Sequence, residues 1–186
     1  MFRYVRIVGT VFMLAMAAAT LMSPRPAMAD SAAEIDRDAD AALTNLYAGS
    51  PAAQSLGAQA KGILVFPSIV KGGFIVGGQF GEGALRKDGK TAGYYNTVAA
   101  SYGLQAGVQK FGYALFLMTD SALNYLEKSE GWEIGVGPSI VVVDAGVAKT
   151  LTTTTAQADF YAFFFDQKGL MAGLGLQGSN ISKINP

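Results

Sequence analysis

The 186-residue chain contains no cysteine and no histidine. The first absence rules out disulfides, thiol nucleophiles and a lipid-modified cysteine. The second removes Ser-His-Asp triads and, together with the first, the zinc and haem sites built on imidazole or thiolate. Carboxylate, lysine and serine chemistry remain. Stability must come from a packed core rather than covalent staples. Charge is also scarce: 15% of residues are Asp, Glu, Lys or Arg, against 51% hydrophobic. Residues 1–29 hold three arginines and no acid, so residues 30–186 carry a net charge of −3. A net acidic chain without basic clusters argues against nucleic acid as a partner and against simple electrostatic adhesion to anionic membranes.

What is present begins with Arg3 and Arg6 ahead of an uncharged apolar run from Ile7 to Met22, then a proline-containing break and Ala27-Met28-Ala29. The run has 16 residues, below the roughly 20 that a helix needs to cross a bilayer. Residues 1–29 are therefore predicted to be a secretory signal peptide cleaved near Ala29, rather than a retained anchor. The expected location is periplasmic or secreted. Residues 30–186 have the length of one domain.

Ser31-Ala-Ala-Glu34 is a capping box and predicts a helix carrying Ile35, Ala39, Ala42, Leu43 and Leu46 on one face, with Asp36, Arg37, Asp38 and Asp40 on the other. Ser50-Pro51 predicts a second short helix towards Ala60. From Gly62 the apolar period falls to two. Strands are predicted over 62–66, 73–86, 91–109, 111–118, 133–148, 158–166 and 169–178, with a hairpin turn at Lys87-Asp-Gly-Lys90. A short helix starting at Thr119 or Asp120 should bury Leu123 and Leu126. In 101–108 and 170–176 large residues alternate with small ones. Recurrent glycine inside strands marks bending or close approach. The expected fold is α+β: a mainly antiparallel, strongly curved or barrel-like sheet with N-terminal helices packed on a glycine face and one short internal helix.

Several short motifs carry the spacing of known chemistry without its setting. Ser68-Ile-Val-Lys71 has the S-x-x-K spacing of penicillin-recognising enzymes, which requires a helix to align the two side chains. Pro67 before it and Gly72-Gly73 after it oppose a helix, and the S-D-N and K-T-G companions are missing. Gly89-Lys90-Thr91 lacks the earlier glycine of a phosphate loop, position 84 being alanine. Glu82, Asp144 and Asp166 are the carboxylates that would have to pair as acid and base. The run Phe160-Tyr-Ala-Phe-Phe-Phe165 fits burial on both faces of a central strand better than an exposed patch. Trp132 is either an interfacial anchor or a plug at one end of the core. Lys61 and Lys71 flank the Phe66-Pro67 strand, where an ammonium group can meet a phosphate headgroup or remain solvated at a turn.

The stretch AKGILVFPSIVKGGFIVGGQFGEGAL, from Ala60 to Leu85, resembles the opening of the SYLF, or Ysc84-type, domain. Tyr102-Gly-Leu-Gln-Ala-Gly107, Tyr113-Ala-Leu-Phe-Leu-Met-Thr119 and the segment from Lys168 to Ser179 are similar to its middle and closing motifs. The resemblance implies a bacterial exported member of that family. Because eukaryotic relatives are associated with phosphoinositides and actin regulation, it also implies recognition of a phospholipid or another membrane lipid. Actin is an unlikely partner for an exported chain, and the acidic Asp36 to Asp40 helix lacks the basic character suited to membrane docking. The expected ligand-binding residues are Lys61, Lys71, Phe66 and Phe74, with no metal, no cofactor and no enzymatic activity. The competing expectations are an envelope scaffold with a protein partner and, last, a lysine-assisted serine hydrolase.

Overall fold

The computed structural model describes residues 30–129, 131–134, 137–138, 140–143, 158–169 and 178–186, apart from the side chains of 74–76, 101–106 and 168–169. The predicted signal peptide, Asp144, and most of the predicted 169–178 strand lie outside these residues. So do the alternating side chains of 101–106 and 170–176.

Helix α1 spans Ala32–Gly49. Ser31 caps it as the sequence predicts: its hydroxyl oxygen accepts from Glu34 N, and the Glu34 carboxylate accepts from Ser31 N at 3.0 Å. The carboxylate also accepts from Ser31 Oγ at 2.8 Å, and the bonds donated by the Ser31 backbone and hydroxyl hold the Glu34 carboxyl below its ordinary range. Pro51 opens α2, Pro51–Gly57, capped by the Ser50 hydroxyl. Helix α3, Asp120–Lys128, is capped by Thr119 and buries Leu123 and Leu126.

Among the described residues the sheet has six strands: β1 Gly62–Lys87, β2 Lys90–Leu117, β3 Trp132–Glu133, β4 Ile140–Val143, β5 Phe160–Gly169 and β6 Asn180–Ile184. The order is β3-β6-β2-β5-β4, with β1 running along the other edge of β2. The sheet is mostly antiparallel and curled into a half-barrel. Among the described residues β4 and β5 form a parallel pair within this mainly antiparallel sheet. One correction concerns β1, which continues through Pro67 instead of stopping at Phe66. Its pairing with β2 shifts register between Phe66 and Ile69, and a proline is tolerated where an edge or a bulge needs no amide donor. The predicted turn is present, with Asp88 and Gly89 both at positive φ, as a two-residue hairpin loop requires.

The hairpin of β1 and β2 folds back on itself. At Gly83 a Cβ would strike the carbonyl oxygen of Val65 and approach Phe66 Cδ1 to 2.7 Å; at Gly81 it would meet Ile69 Cγ1 at 2.7 Å and Ser68 O at 2.8 Å. One arm of β1 thus lies directly on the other, which only glycine permits. The concave face so formed holds a core of Leu64, Phe66, Ile69, Leu85, Tyr95, Phe111, Tyr113, Leu115 and Leu117, closed by α3 and Trp132. On the convex face α1 and α2 cover Ile63, Val65, Ala84, Ala114, Phe116, Tyr161 and Phe163. The helices therefore rest on branched, aromatic and alanine side chains rather than on the glycine face expected. Burying side chains such as Ile35 and Leu46 there contributes about 1.5–3 kcal/mol each.

Phe160, Ala162 and Phe164 join the concave core while Tyr161, Phe163 and Phe165 join the convex one, so the aromatic run of β5 is buried on both faces. Trp132 is 1% exposed and packs against Phe160 with ring centroids 4.8 Å apart. It is a core plug and not an interfacial anchor.

The acidic stripe of α1 is not merely solvated. Asp36 accepts hydrogen bonds from Thr91 Oγ1 at 2.6 Å and Tyr94 Oη at 3.0 Å and pairs with Arg86 at 3.3 Å. The Arg86 guanidinium also reaches Asp40 at 2.6 Å, and it donates to the Asp36 carbonyl at 2.9 Å. This clamp ties the hairpin end to α1.

Candidate site at the concave mouth

Because strand side chains alternate, directly opposed residues of β1 and β2 share a face. Along the concave face the opposed pairs run Phe66 with Tyr113, Ile69 with Phe111, Lys71 with Gln109, and Gly73 with Gly107. The first two pairs are buried, and the Phe66 and Tyr113 rings lie 4.9 Å apart. Lys71 is half-buried and Gly107 exposed. Within four pairs the face changes from apolar floor, through one cation and one amide, to a glycine rim.

Gln109 is 4% exposed, and its Oε1 accepts no hydrogen bond among the described residues. A buried acceptor left without a donor costs about 1–3 kcal/mol, so this carbonyl favours any donor brought to it. Its Cβ stands about 5 Å from that of the opposed Lys71. Deeper in, polar groups satisfy one another: Tyr113 Oη donates to Thr97 Oγ1 at 3.3 Å, and Gln79 Nε2 donates to Ser179 Oγ at 2.8 Å. Burial pushes the Tyr113 hydroxyl far above its ordinary pKa, so it stays a donor. The mouth thus combines one positive charge with an unmet acceptor above an aromatic floor, an arrangement suited to an amphipathic anion.

The expected site residues are not gathered in one place. Lys71 is at the mouth. Phe66 is fully buried in the concave core beneath it. Lys61 is exposed at the start of β1, its backbone N–H donating to Leu117 O, ten residues and roughly 30 Å of extended strand from Lys71. Phe74 belongs to β1, but its side chain lies outside the described residues. Ser68 and Lys71 occupy extended chain, where residues three apart fall on opposite faces, so they lack the shared helical face that an S-x-x-K pair uses. Glu82 accepts from Asp30 N at 3.0 Å, and Asp166 is on a different strand, β5. Gln109 escaped the sequence reading, although its parity with Phe111, Tyr113, Leu115 and Leu117 places it on the inward face.

Residues 98–185 match the family model Ysc84, described as "Las17-binding protein actin regulator". Over that stretch the chain is similar to the Ysc84 family. The Ysc84 match includes most of β2, with Gln109, and everything after it. It leaves α1, α2 and β1, with Lys61, Phe66, Lys71 and Phe74, ahead of its start. No curated protein matches the chain. Among the described residues no cluster of three or more Asp or Glu side chains is placed to hold a metal ion, and no helix is long and apolar enough to cross a membrane.

Proposed function

We propose that this chain is an exported, non-enzymatic phospholipid-binding protein of Ysc84 type in the cell envelope, periplasmic or secreted. The observation that carries the reading is the gradient along the concave face, from Phe66–Tyr113 and Ile69–Phe111 to Lys71–Gln109. Acyl chains favour the apolar part, and Lys71 supplies a point charge for the phosphate. Actin, named in the family description, is not the partner we propose. Native mass spectrometry of protein purified from the envelope, followed by extraction, is expected to reveal a retained phospholipid. Lys71→Glu should lower the bound fraction about tenfold, the scale of one lost charge-assisted hydrogen bond. An adduct indifferent to Lys71→Glu would overturn the headgroup role.

Export is supported by a separate contact. Cleavage between Ala29 and Asp30 would turn the Asp30 nitrogen, 3.0 Å from the Glu82 carboxylate, into an ammonium already facing its counter-ion. The intact mass of envelope-purified protein should therefore begin at Asp30. A mass that retains residues 1–29 would contradict this.

A second reading, an envelope scaffold, is favoured by exposed apolar side chains on the convex face. Phe80, 51% exposed, directly opposes Val98, 45% exposed, and farther along the β1–β2 ladder Val108 is 69% exposed. A lipid-free protein that runs as an oligomer or with a bound protein in the same mass spectra would favour it.

A further inference from the structure

We propose that Gln109 makes the mouth selective for anionic phosphodiester lipids whose headgroup carries a hydroxyl, such as a phosphoglycerol. The inference rests on the lipid-binding reading and deepens it. Lys71 can meet any phosphate and so cannot discriminate among anionic headgroups. Gln109 can, because its buried Oε1 has no donor among the described residues and the residue directly opposes Lys71 across the β1–β2 ladder. A headgroup that places its phosphate at Lys71 places the next atoms of its polar end within reach of Gln109. A hydroxyl there satisfies the acceptor. A methyl ester leaves it unmet and excludes the water that would otherwise serve. An ammonium is also a donor, but it would set a second positive charge beside Lys71 in a half-buried site, which like-charge repulsion disfavours.

The test uses the whole mature protein and vesicles of phosphatidylcholine doped, at equal mole fraction, with either phosphatidylglycerol or phosphatidylmethanol. These dopants carry the same charge and differ in the headgroup hydroxyls. Wild type should bind the phosphatidylglycerol vesicles about fivefold more tightly, the scale of one neutral hydrogen bond. Gln109→Met should erase that preference, bringing binding to the two kinds of vesicle level. Thermal melting of Gln109→Met separates recognition from structure: removal of an unpartnered carbonyl should leave the melting temperature equal or higher. Equal wild-type binding to both vesicles, or a preference that survives in Gln109→Met, overturns the selectivity while the lipid reading stands. Binding to neither vesicle overturns the lipid reading itself.

Discussion

Gly83→Ala is expected to destabilise the protein by about 3 kcal/mol or more, the upper range for forcing atoms into a packed interior, read as a lower urea midpoint at unchanged slope. The new methyl would enter the Val65 carbonyl and the Phe66 ring. The carbonyl belongs to backbone and cannot rotate away. Relief would require parting the two arms of β1, which would open the concave core around Phe66 and Leu85. Gly78→Ala is the control, because its nearest neighbour would be Ala99 O at an ordinary 3.6 Å. That change should stay within about 0.5 kcal/mol of wild type, with the stiffer unfolded chain favouring alanine. If the two substitutions behaved alike, the hairpin would not be folded onto itself as described.

Arg86→Met should cost about 2 kcal/mol. Its side chain is 10% exposed and pairs with Asp36 and Asp40, which are 34% and 67% exposed. Breaking a fully buried pair costs about 3–5 kcal/mol and an exposed one under about 1 kcal/mol, so this mixed clamp falls between them. The loss should be non-additive with Asp36→Asn, because Asp36 would keep only Thr91 and Tyr94 as partners once Arg86 is gone. A double-mutant cycle in chemical denaturation measures that coupling. Strict additivity would mean that the guanidinium and the Asp36 carboxylate do not act together.

These two predictions also mark what the sequence could and could not disclose. The Ser31 capping box, the Pro51 and Thr119 helix starts and the Asp88-Gly89 turn are signals confined to a few neighbouring residues, and each appears where local chemistry puts it. Curvature was legible from glycine inside strands. Its direction was not, because it depends on Gly83 meeting Val65, eighteen positions away in the chain. The same distance problem hid the clamp: Asp36 and Arg86 are 50 residues apart, and an acidic stripe on a helix ordinarily faces water. Pro67 suggested a strand end because the sequence alone does not show that the β1–β2 pairing shifts register there. At the mouth, Lys71 was legible as a lysine beside a turn-like Gly-Gly. Gln109 was not, since an amide attracts notice only when its burial and its missing donor are known.

Ligand entry at Lys71 and Gln109 underlies the proposed function. Its most direct test is a titration of isotope-labelled mature protein with short-chain phosphatidylglycerol, followed by amide chemical shifts. The shifts should move at Ile69, Lys71, Gln109 and Phe111 and stay still at Phe80 and Val98. Movement confined to Phe80 and Val98, or none at all, would contradict it.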